Sequence, residues 1–180
     1  MMKKKILTIL TGSMLVASVS FAAPITDLQQ GESTIGYNHY DLDAAGQNID
    51  TDSFYLENAI ADKVIVGIER NSYSIPGADA KTTDVYAHYK LDQNIRLIVG
   101  NRDYSNGPNK MFYGIGANTN LAPKLDGYAS VTSSSIATEW QTGVNYKLNN
   151  QAALHLGYKS YKEDGAATAD GLGFGVNYKF

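Results

Sequence analysis

The sequence predicts an all-β chain of ten antiparallel strands closed into an up-and-down transmembrane barrel, with eight strands as the alternative. Three observations carry this. From Gly31 to the C-terminus the apolar residues recur with a period of two, the signature of strands with one apolar and one polar face. After the first 22 residues no stretch approaches the run of about 18 apolar residues that a spanning helix needs. The outward aromatics also sort into two tiers, as the two interfaces of a membrane favour.

The 180-residue chain is long enough for one domain and begins with a leader. Lys3, Lys4 and Lys5 precede an apolar stretch from Ile6 to Phe21, and Ser20 and Ala22 stand at signal-peptidase spacing before Pro24. The stretch is interrupted by Thr8, Thr11, Gly12, Ser13 and Ser18, which disfavours a membrane anchor. Cleavage after Ala22 is expected, leaving residues 23–180 as the barrel and 23–30 as a short periplasmic lead. Loss of the three leader lysines takes the 15 Lys and Arg to 12 against 18 Asp and Glu, net −6. Such an acidic product is a poor nucleic-acid binder, since too little positive charge remains to neutralise phosphate. With no cysteine there is neither a disulfide nor a thiolate for chemistry.

The strands follow in order. The first, around Ile35 and Tyr37, is the least regular. Phe54, Leu56 and Ile60 mark the second, Val64, Val66 and Ile68 the third, and Val85, Ala87, Tyr89 and Leu91 the fourth. Ile95, Leu97 and Val99 mark the fifth, Met111, Tyr113, Ile115 and Ala117 the sixth, and Leu125, Gly127, Ala129 and Val131 a weaker seventh. The eighth alternates from Ile136 to Leu148 through Trp140, the ninth through Leu154, Leu156 and Tyr158, and the last from Leu172 to Phe180.

Tight turns are expected at Ile60–Lys63, Leu91–Asn94, Leu121–Lys124 and Leu148–Gln151, each carrying Asp, Asn or Pro. Longer polar links are expected at Asp43–Asp50, Ser74–Lys81, Ser105–Asn109, Ser133–Ser135 and Glu163–Ala167. Short turns at one end and longer loops at the other fit a membrane barrel, and an even strand number returns the C-terminus to the short-turn end. With that orientation Tyr89, Tyr146, Tyr178 and Phe180 fall near the periplasmic rim, and Phe54, Tyr113, Trp140 and Tyr158 in the outer half.

The C-terminus carries the one recognisable motif. Phe174, Val176, Tyr178 and the terminal Phe180 alternate behind Gly173 and Gly175. This resembles the assembly signal of bacterial outer-membrane barrels, although Gly173 stands where that signal often has a polar residue. The wider pattern is similar to small porin-like and outer-membrane-protein-A-like barrels. The resemblance implies an outer-membrane location, contact with lipids including lipopolysaccharide, and delivery by periplasmic chaperones to the barrel-assembly machinery.

Function in such a barrel lies in the lumen, the loops or the lipid face. Ten strands enclose a backbone diameter of roughly 20 Å, which side chains narrow to about 10 Å or less. The inward parity selects Glu32, Glu57, Glu69, Asp84, Asp126 and Glu139 against Lys90, Arg96, Arg102, Lys147, Lys159 and Lys179. These balanced charges either pair across the tube and rigidify it, or line a narrow pore. The inward glycines Gly36, Gly67, Gly100, Gly114, Gly116, Gly143, Gly157, Gly173 and Gly175 leave space, which Tyr55, Tyr86, Phe112 and Tyr128 can refill. The expectation is a small porin-like channel for ions or small polar solutes, with a non-conducting structural barrel as the alternative.

An enzyme is not expected. Asp84 and His88 share an inward face and Glu69 lies on the next strand, a candidate acid–histidine pair, yet no nucleophile accompanies them. No metal motif or cofactor is expected, since His39, His88 and His155 fall on separate strands. The acids Asp41, Asp43, Asp50, Asp52, Glu163 and Asp164 read as solvated loop charges, with cation bridging to lipopolysaccharide the alternative. Arg70, outward at the top of its strand, has the reach to snorkel to a lipid phosphate or simply to lie in the loop region.

Overall fold

The structure is a computed structural model that describes residues 24–75, 78–105 and 107–180. The expected leader and its expected cleavage point lie outside the described residues. Ten strands run β1 Ser33–Ala44, β2 Gln47–Ala61, β3 Val64–Ile75, β4 Ala78–Lys90, β5 Ile95–Tyr104, β6 Lys110–Ala122, β7 Leu125–Ser134, β8 Ala137–Lys147, β9 Ala152–Glu163 and β10 Ala169–Lys179. Each pairs antiparallel with its sequence neighbours, and β1 pairs with β10 to close the barrel. Backbone bonds between Ser33 and Phe180 continue that seam to the last residue, at 2.8 and 2.9 Å.

Following the paired residues once around the sheet climbs β1 by about 12 residues, which for ten strands sets a tilt of about 40° and a backbone diameter of about 19 Å. We call the end holding Ser33 and Phe180 the terminal end, and the other the far end. The tight turns at the terminal end are built from the side chains their sequence offers. Asp92 Oδ1 accepts from the backbone of Asn94 and Ile95 at 2.7 and 2.8 Å, and Asn149 Oδ1 from Gln151 and Ala152 at 2.8 and 2.7 Å.

Two of the expected far-end links are strand instead. β1 continues to Ala44 and β2 begins at Gln47, so only Ala45 and Gly46 connect them, both at positive φ (55° and 82°). That is the conformation a two-residue hairpin requires. Likewise β3 reaches Ile75 and β4 starts at Ala78, while β7 extends to Ser134 and β9 to Glu163. Link length therefore does not distinguish the two ends of the barrel; what does is a change of polarity along the strands.

Over most of their height the strands point apolar residues outward: Ile35, Leu56, Ile68, Val85, Leu97, Ile115, Leu156 and Val176 are exposed, while Glu57, Glu69, Gln141 and Lys159 are buried inside. The aromatics Phe54, Tyr89, Tyr113, Trp140, Tyr146, Tyr178 and Phe180 belong to this exposed belt, and Tyr158 stacks on Trp140 at 5.4 Å. Toward the far end the pattern inverts. Asp41, Asp43 and Asp50 face outward, and Tyr40, Leu42, Ala44, Ile49, Tyr73, Tyr161 and Ala169 form an apolar cluster inside. A wall with water outside needs the opposite arrangement from one whose outside is apolar.

Inside, aromatic rings lie on glycines. A side chain at Gly36 would meet the ring of Tyr55, one at Gly67 that of Tyr86, and one at Gly100 that of Phe112. Each pair is directly opposed across neighbouring strands, so the missing side chain is what lets the ring lean along the wall and fill the lumen.

Candidate functional site in the barrel lumen and its mouth

The residues selected by inward parity line the lumen from end to end. At its centre Arg102 holds Asp84 with two nitrogens: Nε donates to Oδ1 at 2.9 Å and Nη2 to Oδ2 at 2.9 Å. Phe112 lies 5.4 Å from the same guanidinium. Lys159 Nζ sits 4.2 Å from the Tyr40 ring centroid and within electrostatic reach of Glu139 and Glu69. Tyr40 and Tyr128 converge on His155 Nε2 at 2.9 and 3.2 Å. A charge this deep is tolerated only when paired or hydrogen-bonded, and the lumen is organised around that requirement.

The acid–histidine geometry differs from expectation. Asp84 is committed to Arg102, and the carboxylate beside His88 is Glu57, with Nδ1 and Oε1 3.9 Å apart. Glu57 itself accepts from Tyr86 at 3.1 Å. No group of three candidate metal ligands occurs among the described residues. Arg70 is exposed on the outward face opposite Phe54.

Lys90, Asp126, Lys147 and Lys179 ring the terminal mouth. Lys147 pairs with Asp126 at 2.7 Å and Lys179 with Glu32 at 3.0 Å. Burial opposes ionisation of Glu32, but the Gln29 backbone N–H and Lys179 outweigh it and hold the carboxyl below its usual range. Asp92, on the turn outside the barrel, is likewise held low by its two backbone donors.

The residues before β1 occupy this mouth. Ile25 is 2% exposed and Leu28 0%. Leu28 packs with Ala59 and Ile65, and Ile25 fills the space left by Gly116. Arg96 Nη1 donates to the Thr26 carbonyl at 3.0 Å, and Nη2 to Asn118 Oδ1 at 2.8 Å. Lys90 Nζ donates to the Leu28 carbonyl and pairs with Asp27 at 3.2 Å. Two cavities of about 820 and 920 Å³ flank the segment, one lined by Asn94, Asn118 and Asn120, the other by Asn145, Asn149 and Asn177.

A short lead is expected over residues 23–30, and its described part, residues 24–30, docks in the mouth through contacts that the sequence pattern does not announce. The signal for it is small: two apolar residues, Ile25 and Leu28, spaced among the polar residues Thr26, Asp27, Gln29 and Gln30. Above the mouth the lumen is filled. Arg96, His88, Gln141, Lys159, Tyr40, Tyr73 and Tyr161 are among the largest fully buried side chains, and the apolar cluster closes the far end. A continuous water column would have left those side chains exposed.

No protein-family model matches the chain, and no curated protein matches it. Solved structures similar to it include the N-terminal β-barrel domain of Pseudomonas aeruginosa OprF, at 13% identity and TM-score 0.47, covering 85% of this chain and 100% of that one. The KdgM porin in complex with disordered oligogalacturonate is similar at 9% identity and TM-score 0.48, covering 82% and 99%. The translocator domain of the autotransporter NalP from Neisseria meningitidis is similar at 11% identity and TM-score 0.45, covering 99% and 95%.

Proposed function

We propose that the chain is an integral outer-membrane barrel whose lumen is occluded, so that it serves the envelope as a structural barrel presenting an acidic far-end collar rather than as an open channel. The observation that carries this is the burial of the lumen side chains beneath the apolar far-end cluster. The exposed belt supports the membrane reading. From Leu121, Leu148 and Phe180 up to Leu172 and Trp140 it spans about 20–25 Å, close to the apolar band of outer-membrane barrels.

In this reading the terminal end faces the periplasm and the overhanging Asp41, Asp43, Asp50 and Asp170 stand above the outer leaflet among lipopolysaccharide headgroups. The outward row Phe174, Val176, Tyr178 and Phe180 on the closing strand is the surface offered to the barrel-assembly machinery after chaperone delivery. Swelling of liposomes carrying the refolded barrel tests the central point. Small sugars and amino acids should enter no faster than into protein-free liposomes. Swelling that falls off with solute size would instead establish a channel.

A further inference from the structure

We propose that the recess in the terminal mouth between residues 26–29 and the β8–β10 wall is a binding site for a neutral oligosaccharide. The inference goes beyond an occluded barrel, since it gives the mouth a ligand that rests there without passing through the lumen.

The recess is the larger of the two mouth cavities, about 920 Å³. That lies within the range of roughly 300–1,000 Å³ usual for small-molecule sites, which often occupy barrel mouths. The strand register explains why it exists. Ala153 on β9 lines the recess and is directly opposed to Lys147 on β8 and to Asn177 on β10. Only a methyl group stands between those two larger side chains, so the wall is hollow there. Across the mouth, Leu28 is anchored on Ala59 and Ile65, which holds residues 26–29 in place as the facing side.

The chemistry of the lining is that of the carboxamide. Gln29, Asn145, Asn149, Asn150, Gln151 and Asn177 all contribute to it. Asn145 is only 4% exposed, and its Oδ1 has no hydrogen-bond partner among the described residues. Such an atom is costly to bury unless an occupant supplies a donor. Each carboxamide carries a donor and an acceptor side by side, which matches hydroxyls on neighbouring carbons of a sugar ring. Leu148 and Ala153 add apolar surface for the C–H groups of that ring.

Two competing ligand classes fit less well. Lys147 is paired with Asp126 and Lys179 with Glu32, so the lining favours an uncharged ligand over an ion. A peptide strand would need a free sheet edge for its backbone, and the closed barrel has none.

The test is a titration of the refolded barrel in phosphocholine micelles with maltotriose, cellotriose and triacetylchitotriose. Side-chain amide signals are followed by NMR, and those of Asn145 and Asn177 are assigned by their loss in Asn145→Asp and Asn177→Asp. At least one trisaccharide should move both signals saturably in the millimolar range. Ala153→Trp, which fills the recess, should weaken that binding at least about tenfold, and so should Asn145→Leu, which removes the unpartnered acceptor. Folding of both variants is verified by heat-modifiable migration in SDS.

Signals unmoved by all three sugars would overturn the proposal, as would undiminished affinity in either variant. Acetyl-triglycine amide moving the signals as strongly as the sugars would overturn the assignment to saccharides. Because binding is read in micelles, it fails independently of whether the barrel conducts.

Discussion

Tyr86 lies across Gly67, its directly opposed neighbour on β3, with its ring in the space a side chain at that position would need. Its hydroxyl reaches on to Glu57. Gly67→Ala must therefore evict the ring, lose that hydrogen bond and open a gap in the lumen. A loss of about 1–3 kcal/mol is expected from the overpacking, measured by urea unfolding from lipid vesicles. Gly36→Ala, facing Tyr55, should behave alike, whereas changes at the exposed Thr119 should not.

Arg102 and Asp84 form a buried pair whose halves depend on each other. Arg102→Met strands the carboxylate and should cost about 3–5 kcal/mol. Asp84→Asn added to it should recover much of that loss. Additive losses in the double variant would mean that each side chain acts through other partners.

The polarity inversion along the strands predicts two opposite responses to a new outward cation. Leu97→Arg, near the middle of the apolar belt, should cost about 2–4 kcal/mol when the barrel folds into vesicles. Asp41→Lys, in the far-end collar and directly opposed to Asp50, should be neutral or mildly stabilising, since it replaces a like-charge pair with an opposite-charge one. Equal costs at the two sites would argue against a lipid boundary between them.

Glu32 gives the mouth a pH dependence of known sign. Its carboxyl is held below its unfolded value by Gln29 and Lys179, so it binds protons more readily in the unfolded chain. Its contribution is fully present above the unfolded value of about 4.3 and is lost as pH falls through the lower folded value. Thermal stability measured across that range should decline on acidification, and Glu32→Gln should flatten its share of the decline.

Much of this fold is legible in the sequence because a closed barrel wall with unlike inner and outer faces imposes a strict two-residue period. Wherever the outside is apolar and the inside polar, as from Ile95 to Val99 or Leu172 to Phe180, parity alone assigns each side chain to its face. The reading fails where the solvent outside the wall changes. Asp41, Asp43 and Asp50 look like loop residues because they are polar on the face that is apolar lower down, yet they continue β1 and β2 around Leu42 and Ile49. The docking of Ile25 and Leu28 is not periodic at all. It depends on a gap opposite Gly116 and on Arg96 reaching across the mouth, relationships that exist only once the barrel closes.

Single-channel recording in a planar bilayer tests the closed lumen most directly. The refolded chain, and the variant with Ile25→Ser and Leu28→Ser, should both remain silent, because the apolar cluster of Tyr40, Leu42, Tyr73 and Tyr161 closes the far end whether or not the mouth is plugged. Discrete, reproducible conductance steps from the native chain would contradict the account and return the lumen charges to the role of a pore lining.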